Sequence, residues 1–230
     1  TYKDDKRNGP YKWYYDNGKF KSEGTYKDGE LDGSYKSFYE NGQLQYEVTY
    51  KDDKRNGPYK WYYDNGQLEV EGTVKDDKRN GPYKTYHNNG QLESEGTWKD
   101  SKEDGLYKYY NANGQLRYEL TYKDGKEISE KRFSYNDNGQ LKLEGTMKDG
   151  KEDGPYKEYY DNGQLEVEGT WKDGKRDGPF KFYWDNGQIK MEGTMKDDEL
   201  DGPYKTYYEN GQLHIEGTFK DGKLIESKEY

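Results

Sequence analysis

The sequence predicts an all-β fold: an elongated single antiparallel β-meander, solenoid-like, made of tandem 24-residue β-hairpin repeats. Three observations lead there. The chain is periodic, its glycines and prolines keep fixed places in the period, and each period holds two β-prone runs separated by turn residues. Segments 1–24, 25–48, 49–72, 73–96 and 97–120 align without a gap. Segment 121–145 carries one extra residue, 146–169, 170–193 and 194–217 return to 24, and the partial copy 218–230 resembles a cap. The expected organisation is one repeat array over 1–230. All 29 Gly fall at the fifth, ninth, eighteenth and twenty-fourth positions of the unit, and all six Pro at the tenth. These are the residues that mark a positive or a fixed φ, so their confinement marks where the backbone turns.

The first unit shows each element. Tyr11-Lys12-Trp13-Tyr14-Tyr15 is an aromatic-rich strand. Asn17-Gly18 follows, and a two-residue type I′ turn is the hairpin connection this dipeptide favours. Phe20 to Lys27 is the second strand, and a six-residue loop, Asp28–Gly33, leads into the next unit. A two-residue turn would set Tyr15 opposite Phe20, Trp13 opposite Ser22, Lys12 opposite Glu23 and Tyr11 opposite Gly24. The Lys–Glu pair recurs from Lys36–Glu47 to Lys205–Glu216, and the aromatic-over-glycine pair recurs as Tyr59–Gly72, Tyr83–Gly96, Tyr156–Gly169, Phe180–Gly193 and Tyr204–Gly217. The sixth unit lacks the Gly-Pro step around Ile128–Phe133, where a kink or bulge is expected.

That register separates two faces. One carries Tyr11, Trp13, Tyr15, Phe20, Ser22, Gly24 and Tyr26 and is apolar; its Phe20 position reads Leu44, Leu68, Leu92, Leu116, Leu141, Leu165, Ile189 and Leu213. The other carries Lys12, Lys21, Glu23, Thr25 and Lys27, with one aromatic per unit. That stripe is Tyr14, Phe38, Tyr62, Tyr86, Tyr110, Tyr159, Tyr183 and Tyr207. Successive rings, two strands apart, would lie ~9.6 Å from one another. Such a row suits sugar stacking or an extended peptide; it equally suits packing against the stems of Lys12 and Lys21.

Composition excludes several classes. Leu, Ile, Val and Phe make only 27 of 230 residues, which alone would suggest disorder, but 28 Tyr and 5 Trp supply the apolar surface instead. Net charge is −9 with acidic and basic residues interleaved, so no basic patch for nucleic acid accumulates. There is no transmembrane-length apolar run and no signal peptide, although Thr1 falls at a repeat boundary, as it would if an upstream segment had been removed. With no Cys, disulfides and thiolate chemistry are out. Loops such as Asp149–Gly154 hint at calcium but lack a carboxylate at the twelfth position, so polar turns are the expectation. His87 and His214 lie in different units at different positions. No cofactor, metal or catalytic residue is expected.

The run Gly154-Pro155-Tyr156-Lys157-Glu158-Tyr159-Tyr160-Asp161-Asn162-Gly163-Gln164-Leu165 resembles the variant MORN repeat (MORN_2-like) of bacterial proteins, including the YwqK-type family, over essentially the whole chain. The resemblance implies no catalytic residues. It implies a non-enzymatic scaffold that binds a protein partner or itself as a homodimer, with two alternatives. These are glycan or cell-surface binding through the aromatic stripe, and an antitoxin that neutralises a partner toxin. Secreted or surface placement in a bacterium goes with the first two, a cytoplasmic one with the last.

Overall fold

The computed structural model describes residues 2–230, and its regular structure is strand throughout. Antiparallel hairpins follow one another in chain order, so the all-β repeat meander is the fold. No helix is present among the described residues, and none is therefore long and apolar enough to cross a membrane.

Two compact units divide the chain, one ending at Ile128 and one beginning at Ser129. The division falls inside strand Lys126–Tyr135 of the irregular sixth repeat. There Glu130, Lys131 and Arg132 stand where other repeats have Gly, Pro and an aromatic. Along the edge facing Leu141–Lys148 the expected bulge is absent: pairing runs in step from Glu130↔Met147 to Ser134↔Leu143.

The two connections of each repeat are the reverse of the sequence expectation. Asp16-Asn17-Gly18 is a three-residue loop, with Gly18 N–H donating to Tyr15 O and Tyr15 N–H to Lys19 O, both at 2.8 Å. Gly18 is left-handed at φ +79°, while Asn17 is not. This is a type I turn closed by a glycine bulge, which uses the same Asn-Gly dipeptide as type I′. Asn17 Oδ1 accepts the Lys19 N–H at 3.0 Å, giving the side chain a local role that favours this form. The type I′ turns sit between repeats instead: Asp28 and Gly29 both have positive φ, +55° and +97°, and join Lys27 directly to its partner Glu30. What was expected to be a six-residue loop is thus a two-residue turn followed by paired strand at Glu30-Leu31 and from Gly33. Its irregularity is confined to Asp32-Gly33, where Gly33 at φ +114° makes a bulge that an L side chain would strain.

The longer tip loop changes the register at one point. Lys12↔Glu23, Trp13↔Ser22 and Tyr11↔Gly24 pair as expected, but Tyr14, not Tyr15, faces Phe20. The same shift gives Phe38↔Leu44, Tyr62↔Leu68, Tyr86↔Leu92, Tyr110↔Leu116, Tyr159↔Leu165, Tyr183↔Ile189 and Tyr207↔Leu213. The Phe20/Leu row therefore belongs to the Lys–Glu face beneath the aromatic stripe, and its assignment to the opposite face is corrected. Contacts agree: the Phe20 ring lies 5.6 Å from Tyr14, and Lys12 Nζ sits over it at 5.5 Å.

The core lies on the other face, within each unit. In the first, Tyr46, Val48, Tyr59 and Val74 form one buried cluster, with Tyr107 elsewhere at 2% exposure. In the second, Met147, Tyr156, Val167 and Phe180 are buried. Rings cover the glycines opposite them at Tyr11–Gly24, Tyr59–Gly72 and Tyr156–Gly169. Gly96 departs from this: its register partner is Tyr83, but the ring above it is Tyr107 of the following hairpin. Leu120 occupies the place opposite Tyr107, so that ring turns back over the nearest glycine, while Tyr83 packs edge-on to Trp98 at 5.8 Å. The final strand, Lys223–Glu229, pairs with Leu213–Lys220 and is exposed along its length.

Candidate binding surface

In each unit the Lys–Glu face carries three rows running across the strands. The first is Pro with Thr, as in Pro10↔Thr25; the second is Lys with Glu; the third is the aromatic stripe with the Leu row. Glu47, Glu71 and others face a Lys on both sides, as Glu71 does between Lys60 and Lys84, so the middle row alternates in sign; Glu144 departs from this, with Phe133 on one side. These pairs are loose and half-exposed, 3.9 Å for Lys84–Glu95 and 3.7 Å for Lys108–Glu119, and contribute little stability each.

The stripe is tied to the row of glutamates. Tyr62 donates to Glu47 at 2.9 Å, Tyr86 to Glu71 at 2.7 Å and Tyr110 to Glu95 at 3.0 Å. Tyr159 donates to Glu144 at 2.9 Å, and Tyr183 and Tyr207 to Glu168 and Glu192 at 2.7 Å. Each bond reaches back to the preceding repeat, so the stripe stitches hairpins together. Burial, and then the carboxylate that favours the neutral phenol, push all six phenols up to about 12. Tyr14 differs, at 56% exposure, and Phe38 has no hydroxyl to donate. The remaining six rings are half-buried.

Sequence reasoning missed two further ladders. Tyr15, Tyr39, Tyr63 and Tyr160 donate their phenols to the backbone oxygens of Phe38, Tyr62, Tyr86 and Tyr183, at 2.6–2.7 Å. His87 stands in this row, its Nε2 3.0 Å from Tyr110 O, which gives it a structural partner. At the hairpin tips Asn41, Asn89 and Asn162 donate to the carbonyls of Asp64, Ala112 and Asp185 in the next repeat. The signal was present as Tyr and Asn recurring at fixed positions, but only the folded spacing shows what they reach. His214 stacks on Tyr208 at 4.2 Å, in the other unit from His87.

In the second unit the Lys–Glu face hollows into a groove of about 530 Å3. Pro155, Pro179 and Pro203 line one side and Lys157, Lys181 and Lys205 the other, with the backbone of the Tyr156, Phe180 and Tyr204 strands as floor. The prolines are exposed, and three consecutive repeats present the same groups in the same order.

No curated protein matches the chain. Among solved structures, the crystal structure of TcdB2-TccC3 is 12% identical with a TM-score of 0.24, covering 95% of this chain and 15% of that one. The crystal structure of TcdB2-TccC3-TEV is 11% identical, also with a TM-score of 0.24, covering 96% of this chain and 16% of that one. The chain thus spans about 15% of the length of the first of these. The MORN repeat variant matches residues 7–28, 31–52, 55–76, 79–100, 103–124, 131–149, 152–173, 176–197 and 200–221. Those segments step by the 24-residue period except at the sixth, where the strand loses its Gly-Pro step, and the chain belongs to the MORN repeat variant family.

Proposed function

We propose that the chain is a non-enzymatic scaffold that binds a protein partner along its Lys–Glu face, with the groove of the second unit as the docking site. The groove carries the reading. It repeats one set of groups, Pro, Thr, Lys and Glu, over three hairpins, which fits an extended polypeptide segment better than a compact small molecule. Its alternating charges supply direction and its exposed prolines supply apolar contact without ordering cost. The carboxylates whose titration is displaced, Asp77, Glu144 and Asp201, are all held below their ordinary values, as ion-paired anions are and as a general acid is not.

The engaged phenols leave the stripe with a structural part to play, which favours the groove over the stripe as the binding element. Self-association is the weaker reading. The Leu44, Leu68, Leu92 and Leu116 row is half-buried under the stripe, and much of the opposite apolar face is buried within each unit, Trp13 and Trp61 being exposed exceptions among its large rings. Affinity capture with the full chain tests the reading. Wild type should retain a partner that a Pro179→Ser, Lys181→Glu variant of unchanged circular dichroism loses. Equal retention would show that the groove is not the docking site.

A further inference from the structure

The first unit holds a second cavity of about 530 Å3 on the opposite face. Its floor is the buried cluster of Tyr46, Tyr59 and Val74, and its walls include the rings of Trp61, Tyr83 and Trp98. Trp61 is 39% exposed, its ring tilted by 38° against that of Tyr46 with centroids 4.4 Å apart. Volumes of ~300–1,000 Å3 with aromatic walls and a few polar groups are those of small-ligand sites.

The charges on its rim depart from the repeat pattern at one position. At two of the four repeats with Arg at the seventh position, that Arg meets an Asp 22 residues later. Arg55 Nε donates to Asp77 Oδ1 at 2.8 Å, and Arg176 lies 3.7 Å from Asp198. Arg79 occupies the same place, but 22 residues on stands Ser101, whose Oγ accepts only the Arg79 backbone N–H at 3.2 Å. The Arg79 guanidinium is held over the rings of Trp98 and Tyr83, 4.9 and 5.6 Å from their centroids. It makes no ion pair among the described residues, whereas Arg55 and Arg176 do; Arg7, which has Gly29 in place of the Asp, likewise lies over a ring, that of Tyr26. The cavity rim therefore offers one oriented guanidinium without a carboxylate, beside exposed indole and near the Glu69 carboxylate.

We propose that this cavity binds a saccharide bearing a carboxylate. The sugar's C–H face stacks on Trp61, its carboxylate takes the place of the missing Asp at Arg79, and Glu69 accepts from its hydroxyls. A neutral sugar would leave Arg79 unmatched, and a simple carboxylate would leave Trp61 and Glu69 unused.

Trigalacturonic acid and its trimethyl ester, titrated into the full chain by calorimetry and tryptophan fluorescence, separate the components. The acid should bind about tenfold or more tightly than the ester, the ratio expected for one charge-assisted contact. Ser101→Asp restores the internal pair, so it should weaken the acid by about tenfold, leave the ester unchanged and keep the urea midpoint at or above wild type. Trp61→Ala should weaken both ligands. Equal affinity of acid and ester, indifference to Ser101→Asp, displacement by benzoate at matching concentration, or no binding at millimolar ligand would each overturn the proposal.

Discussion

Gly96→Ala tests the packing of rings over strand glycines. A Cβ added at Gly96 would lie 2.4–2.5 Å from the Cδ1, Cε1 and Cζ carbons of Tyr107, against ~3.5–4.0 Å for a favourable carbon–carbon contact. The ring has little room to yield. Tyr107 is 2% exposed, and its phenol donates to Thr97 O at 2.7 Å, so turning away gives up both burial and that bond. Overpacking of this kind costs about 1–3 kcal/mol, and loss of the bond about 1 more. Reduced freedom of the unfolded chain returns ~0.4–1 kcal/mol. The variant should therefore lose about 1–3 kcal/mol. Gly145→Ala is the control. The residue opposite Gly145 is Arg132, and a Cβ there would meet nothing closer than 3.6 Å, so stability should hold or rise by up to ~1 kcal/mol. Urea midpoints, with amide exchange in strand Leu92–Lys99 as local readout, measure both. An unchanged Gly96→Ala midpoint, or equal losses in the two variants, would refute the ring-over-glycine account.

Three further outcomes follow from the ladders and bulges. Tyr86→Phe removes the bond to Glu71 and should cost about 1–2 kcal/mol, while Phe38→Tyr, at the stripe position that lacks a hydroxyl, should not destabilise; thermal melts decide. Six stripe phenols have folded values raised from 10.0 to about 12, so their contribution is fully present below 10 and is lost as pH climbs through about 12. Alkaline titration followed by tyrosinate absorbance should show ionisation coupled to unfolding in that window, and independent ionisation near 10 would contradict it. Gly154→Ala places a side chain at φ +114° with Thr146 Cβ at 3.0 Å, and should cost about 1–3 kcal/mol by urea unfolding.

Much of the candidate surface was legible before folding. Lys12↔Glu23 and its repeats keep the expected pairing because a register irregularity between Trp13 and Tyr14 takes up the extra loop residue, and the stripe residues share a face as expected. The Phe20/Leu row was misplaced because it lies next to the turn, where one extra loop residue moves it to the other face. The unpaired Arg79 was equally hidden. In sequence it is one Arg among several, and only the 22-residue reach to Ser101 shows that its carboxylate is missing.

By itself the sequence determined the period, the all-β meander and the central register, because glycine, proline and alternation act locally and are written anew in each repeat. The tertiary structure decided which of two glycine-compatible turns each connection adopts, which ring covers Gly96, and how Tyr and Asn ladders bind one hairpin to the next. Those outcomes depend on neighbouring repeats competing for the same space and the same backbone groups, and residue-by-residue propensity carries no record of that competition.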